Sequence, residues 1–122
     1  MPALGPLKMP LYRLGSIEGE AVNELTTRKY INGERVTIAH FTFKKGARVR
    51  RHSHINEQFS IVLTGRLRFR VGDEEYVASD GDVVYIPPNV EHEVEVLEDS
   101  IVIDIYSPIR EDWLRGEDKY LR

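Results

Sequence analysis

Short runs of alternating apolar and polar residues, each closed by a turn signal, recur at roughly ten-residue spacing from Glu34 onward. A strand throws successive side chains to opposite faces, so these runs are half-buried strands. Many short strands with turns between them point to an all-β sandwich or barrel. Arg35 to Lys44 alternates, with Thr37, Ala39, Phe41 and Phe43 on one side and Val36, Ile38, His40 and Thr42 on the other, and Gly46 ends it. Phe59 to Thr64 is a second run, closed by Gly65. Leu67, Phe69 and Val71 alternate with Arg66, Arg68 and Arg70 up to a Gly72-Asp73 hairpin turn. Tyr76 and Val77 lead to Ser79-Asp80-Gly81, and Asp82 to Ile86 ends at Pro87-Pro88-Asn89. His92, Val94 and Val96 alternate with Glu91, Glu93 and Glu95; after Glu98-Asp99, Ser100 to Tyr106 runs to Pro108. Only Glu111 to Leu121 reads as helical, for one or two turns.

A chain of 122 residues fits one domain. Met1 to Gly15, rich in Pro and Gly, reads as an extended arm, and residues 16–122 as the barrel with its C-terminal tail. The formal charge of −3 gives no field that recruits nucleic acid or an anionic membrane. Arg66, Arg68 and Arg70 are followed by Asp73, Glu74 and Glu75, the wet face of a hairpin rather than a nucleic-acid stripe. The N-terminus has no long apolar run, so neither a signal peptide nor a membrane span is expected, and a cytoplasmic location is the default. There is no cysteine, so any metal must take nitrogen or oxygen ligands.

Three of the four histidines form one pattern. His52 and His54, one residue apart, fall on the same face of a strand. Gln58 keeps that parity. His92 shares the parity of Val94 and Val96, which turns it inward. A single inward imidazole is ordinarily a hydrogen-bonded core residue. Several together beside an amide are costly to bury unless they share a ligand. Gly46-x5-His52-x-His54-x3-Gln58-x6-Gly65 resembles the first cupin motif, and Gly81-x5-Pro87-x4-His92 the second. The resemblance implies a cupin barrel (a double-stranded β-helix or jelly roll) with one divalent metal ion on His52, His54, Gln58 and His92. Cupins usually carry Glu where Gln58 stands, and Asn89 replaces the usual Gly of the second motif. Glu57, one residue away, is the alternative ligand if the loop bulges; parity favours Gln58. Three imidazoles and a neutral amide leave the full charge of the ion uncompensated, which favours an anionic ligand. Zn, Ni, Mn, Co, Fe and Cu all suit such donors.

The string His52 to Gln58 and the tail Asp104-Ile-Tyr106-Ser-Pro108-Ile-Arg110-Glu-Asp-Trp113-Leu resemble the KdgF (pectin degradation protein) family of small cupins. That resemblance implies linearisation of 4,5-unsaturated uronate monosaccharides, the products of pectate and alginate lyases, to open-chain keto acids. It carries acid, aromatic and basic roles to Asp104, Tyr106 and Arg110, and implies a small anionic sugar as partner. Asp104 interrupts an apolar strand on the cavity parity, where a carboxylate needs a partner or a task. Arg110 follows the Pro108 turn, could fold over the barrel mouth, and has the planar fork that suits a carboxylate; its alternative is pairing with Glu111 or Asp112. Trp113 reads as a tail anchor and His40 as structural, while Arg48 and Arg50 share the parity of His52. Competing readings are a metal-dependent dioxygenase or lyase acting on another small acid, and a non-enzymatic ligand-binding cupin. Ile101, Ile103 and Ile105 share the outer face of the last strand and need a cover, either the arm or a second subunit; a homodimer is expected.

Overall fold

A computed structural model describes residues 11–122. Eight antiparallel strands form one hydrogen-bonded sheet: β1 (Glu20–Asn23), β2 (Thr26–Asn32), β3 (Thr37–Phe43), β4 (Arg48–His52), β5 (Glu57–Val71), β6 (Glu74–Ser79), β7 (Val83–Ile86) and β8 (His92–Ser107). A single helical turn, α1 (Glu111–Leu114), follows. The order is β1-β2-β3-β8-β5-β6, with β4 also on β8 and β7 also on β5.

Two long strands close the barrel because each serves two neighbourhoods. The first half of β5, from Gln58 to Ile61, pairs with β7, and Arg66 to Val71 pairs with β6. The two halves of β8 pair with β4 and β3 in the same way. The bend lies at Gly65, where the β5–β8 register shifts. Gly65 has φ 114°, and a Cβ there would lie 2.0 Å from Ser100 Oγ and 2.6 Å from the Asp99 carbonyl, so only glycine lets the strands cross so closely. Ser100 Oγ in turn accepts from the Arg66 amide at 3.0 Å.

The interior holds the faces expected from alternation. Ala39, Phe41 and Phe43 from β3, Leu67 and Phe69 from β5, and Val96 and Val102 from β8 form one buried cluster with Tyr106 and Trp113. Phe41 stacks on Phe43 at 5.2 Å, and Trp113 meets Tyr30, Phe41 and Tyr106 edge-on, anchoring the tail.

Several expectations need correction. The runs either side of Gly65 are one bent strand, as are those either side of Glu98-Asp99. The glycine and the acidic pair mark bends rather than ends. Two strands precede Glu34. In β2 the inward residues are Thr26 and Arg28, with no apolar alternation to read. Arg28 is buried because it pairs with buried Asp118 at 3.1 Å and with Glu20 at 2.7 Å. The helix is one turn, and the chain from Arg115 to Leu121 is a series of turns. Of the expected arm, Met1–Pro10 lies outside the described residues, and Leu14–Ser16 forms a 3-10 turn. No helix among the described residues is long and apolar enough to cross a membrane.

Candidate metal centre

The three histidines arrive from two strands and a turn. His52 ends β4 directly opposite His92, which begins β8, and their rings lie 4.3 Å apart. His54 sits just beyond β4 in the turn to β5, so it reaches the same point without being on a strand as expected. The Asn89 amide, at positive φ, donates to the His54 carbonyl at 2.8 Å and holds that turn. One nitrogen from each of His52, His54 and His92 lies within 4.8 Å of the others.

Each ring is oriented by a main-chain carbonyl. His52 Nδ1 lies 2.7 Å from the Arg50 oxygen, His54 Nδ1 3.0 Å from that of Asn56, and His92 Nδ1 2.8 Å from that of Val90. A carbonyl only accepts, so each Nδ1 carries the proton and each Nε2 presents a lone pair. His92 Nε2 is buried and has no hydrogen-bond partner. Burial pushes His52 and His54 down to about 3, helped at His52 by His92 and at His54 by Arg110; burial likewise lowers His92. All three are neutral at pH 7, the form that ligates a metal.

Gln58 is buried on β5, with its Oε1 3.1 Å from His54 Nε2. Its amide nitrogen donates to Ser60 Oγ at 2.9 Å, which aims the oxygen at the histidines. With His54 Nδ1 protonated, Oε1 and Nε2 are two lone pairs facing one spot. That contact is repulsive alone and favourable when both bind one cation. Glu57 is exposed on the opposite face and accepts from the Tyr85 hydroxyl at 2.9 Å. These donors fit a divalent ion held by His52, His54 and His92 with Gln58 beside them.

Asp104 stands on the wall of the same cavity as His52, Gln58, His92 and Tyr106. It is 8 % exposed, its Oδ2 accepts from the Tyr106 hydroxyl at 2.8 Å, and Oδ1 is buried without a partner. Burial raises its pKa against the opposing pull of Ser60, Tyr106 and Arg110. Burial, and after it Asp104, pushes Tyr106 well above the ordinary phenol range.

Arg110 differs from the mouth position expected of it. It is 1 % exposed and lies 4.5 Å from the ring centres of both Tyr106 and Trp113. It grips Asp112 with two bonds, at 3.0 and 2.8 Å, and donates to the Tyr120 hydroxyl. Its side chain sits behind the aromatic wall because Asp112, two residues on, captures it. Arg48 and Arg50 are exposed: a register shift between Val49 and His52 breaks the parity that linked them to His52, and Val49 lines the cavity instead. His40 lies on the outer side of β3, away from the centre.

Sequence reasoning missed three contributors, Ser60, Asn56 and Tyr120, and named Asp112 only as an alternative partner of Arg110. Ser60 aims Gln58 and has the parity of Gln58 and Val62. Buried Asn56 donates to the carbonyls of Pro108 and Ile109, tying the His54 turn to the tail. Asp112 holds Arg110. Tyr120 stacks on His52 at 3.8 Å between centroids and 10° between planes. Only Ser60 carried a periodic signal; the others act through contacts of irregular segments.

An antiparallel β-barrel with three converging imidazoles that could hold a metal ion is the architecture of a cupin. The cupin domain pattern matches residues 39–106, more than half of the chain, and the chain belongs to that family. The structure of KdgF from Halomonas sp. is similar at TM-score 0.79 and 26% identity, covering 84% of this chain and 98% of that one. An RmlC-like cupin from Shewanella frigidimarina is similar at TM-score 0.81 and 28% identity, covering 85% and 95%. An uncharacterized protein of Streptomyces coelicolor is 26% identical over 102 residues, 82% of this chain and 97% of that protein.

Proposed function

We propose that this protein is a metal-dependent enzyme that opens the ring of 4,5-unsaturated uronate monosaccharides to give open-chain keto acids. One observation carries the reading: a buried carboxyl, Asp104, with one oxygen that has no hydrogen-bond partner, lines the same cavity as His52 and His92 of the three-histidine group. The likeness to KdgF supports it.

The reaction is an isomerisation. The proton of the C1 hydroxyl leaves, the C1–ring oxygen bond breaks to give an aldehyde, and the released enol takes a proton at C4 to become a ketone. A bound divalent ion supplies Lewis acidity and an anchor for anionic oxygen. Asp104 is the group placed to move the proton, with a raised pKa suited to holding and releasing it. The Tyr106 hydroxyl donates to its other oxygen and holds the carboxyl in place. Arg110 supplies positive charge behind that wall and is the partner for the substrate carboxylate. The dioxygenase or lyase reading gains if Glu57 is the fourth ligand, and Glu57 faces outward.

The same reading includes a homodimer through the outer face. Ile38 pairs with Ile105, Ile105 with Phe59 and Phe59 with Tyr85; one step along, Ile103 pairs with Ile61 and Ile61 with Val83. Ile38, Phe59, Val83 and Tyr85 are exposed, an apolar surface that a second copy would cover.

The test follows loss of enol-ether absorbance and the new carbonyl signals by NMR with unsaturated galacturonate and guluronate. Metal-loaded wild type is expected to consume one of them. Asp104→Asn is expected to lose roughly 100-fold or more of that rate with metal content unchanged. An inert wild type overturns the reading; Asp104→Asn as fast as wild type removes the proton-transfer role.

A further inference from the structure

The end of the chain forms one wall of the chamber beside the histidines. Trp113, Tyr120 and Leu121 line it together with His52, His92 and Asp104. Its volume is about 30 Å³, room for about two waters and far too small for a sugar acid. On the other side of Tyr120 lies an open cleft of about 390 Å³, bounded by Ser53, His54, Asn56, Asp112 and Arg115. Tyr120 borders both spaces, so its ring is the partition between them.

The segment that carries this ring belongs to no strand or helix. Gly116, at φ 72° with nothing near its missing Cβ, links it to the anchored Trp113 turn. Leu121 is buried in the core, Arg50 donates to the carbonyls of Lys119 and Tyr120, and a set of polar latches adds to these. Asp118 is buried between Arg28 at 3.1 Å and Arg122 at 3.1 Å, and Arg122 also reaches Glu20 at 2.9 Å. Asn23 donates to the Leu121 carbonyl at 2.7 Å. The Tyr120 hydroxyl accepts from Trp113 Nε1 at 2.7 Å and from Arg110, so it occupies a guanidinium donor that a carboxylate would otherwise use.

We infer that residues 117–122 are a lid that swings out at Gly116 to join the cleft to the histidine chamber, and that Tyr120 in the closed state holds the Arg110 donor that the incoming carboxylate takes. The second half rests on the uronate reading; the first needs only a ligand larger than water. Local opening of an irregular terminal segment is slower than side-chain motion and far cheaper than unfolding.

The chain has no cysteine, so one introduced thiol reports opening without background. Leu121→Cys is compared with Val62→Cys in the barrel core, using an aromatic disulfide reagent under native conditions. The thiol at 121 is expected to react roughly 100-fold faster, and Asp118→Asn to speed it about tenfold more. Hydrogen exchange on the unaltered protein gives the same comparison without mutation. The Arg50 amide of β4 bonds to the Tyr120 carbonyl of the lid, and the Val62 amide to that of Asp82. Equal exchange at the amides of 50 and 62, or equal thiol rates at 121 and 62, with equal denaturant dependence, overturns the lid whether or not any uronate is turned over. For the second half, Tyr120→Phe is expected to lower the KM for unsaturated galacturonate roughly threefold. A raised KM overturns that half and makes the hydroxyl a substrate contact.

Discussion

The centre depends on where three protons sit. Each imidazole gives Nδ1–H to a carbonyl two residues away, so the lone pairs converge inside the barrel. His52 and His92 were legible from parity and spacing and His54 from spacing alone, since it lies in a turn; their tautomers were not, because the local backbone beside each ring sets them. The cost shows in pH dependence. His52 and His54 titrate near 3 when folded and near 6.5 when unfolded. Below about 6.5 the unfolded chain takes up protons that the folded chain refuses, and stability drains until pH reaches about 3. Chelator-stripped protein is expected to lose on the order of 10 °C in Tm between pH 7 and pH 5. Saturating metal moves the loss to lower pH. A flat Tm over that range in stripped protein contradicts the buried neutral cluster.

Strand parity did most of the predictive work at the level of elements. It placed Phe41, Leu67, Phe69, Val102, Asp104 and Tyr106 inside, and it chose Gln58 over Glu57. It failed where the inward residues are polar, as in β2 with Thr26 and Arg28. It failed again where a bulge resets it, as between Val49 and His52. Strands β5 and β8 bend at Gly65 and Ser100 without ending, which no local turn signal distinguishes from a stop. The two faces of β5 give a direct comparison. Gln58→Ala is expected to weaken metal binding roughly tenfold in a chelator competition, and Glu57→Ala to leave it within about twofold. The reverse order means that the outer face supplies the ligand.

Taken whole, the molecule is a barrel with an apolar outer face and an ionic latch at its mouth. The first was foreshadowed in the sequence and the second was not. The isoleucine face of β8 signalled that a cover was needed, but the latch joins Glu20, Arg28, Asp118 and Arg122, two segments nearly a chain length apart. Light scattering on a sizing column is expected to give about twice the 14.1 kDa of the chain, and Phe59→Asp with Val83→Asp to give a monomer. A wild-type monomer contradicts the dimer and leaves the metal centre untouched. The metal centre is tested most directly by anomalous diffraction from crystals of metal-replete protein, with X-ray fluorescence to name the ion. The account predicts one ion bonded at about 2.0–2.2 Å to Nε2 of His52, His54 and His92. Crystals with no ion there, or with the His92 ring turned away from the other two, would contradict it.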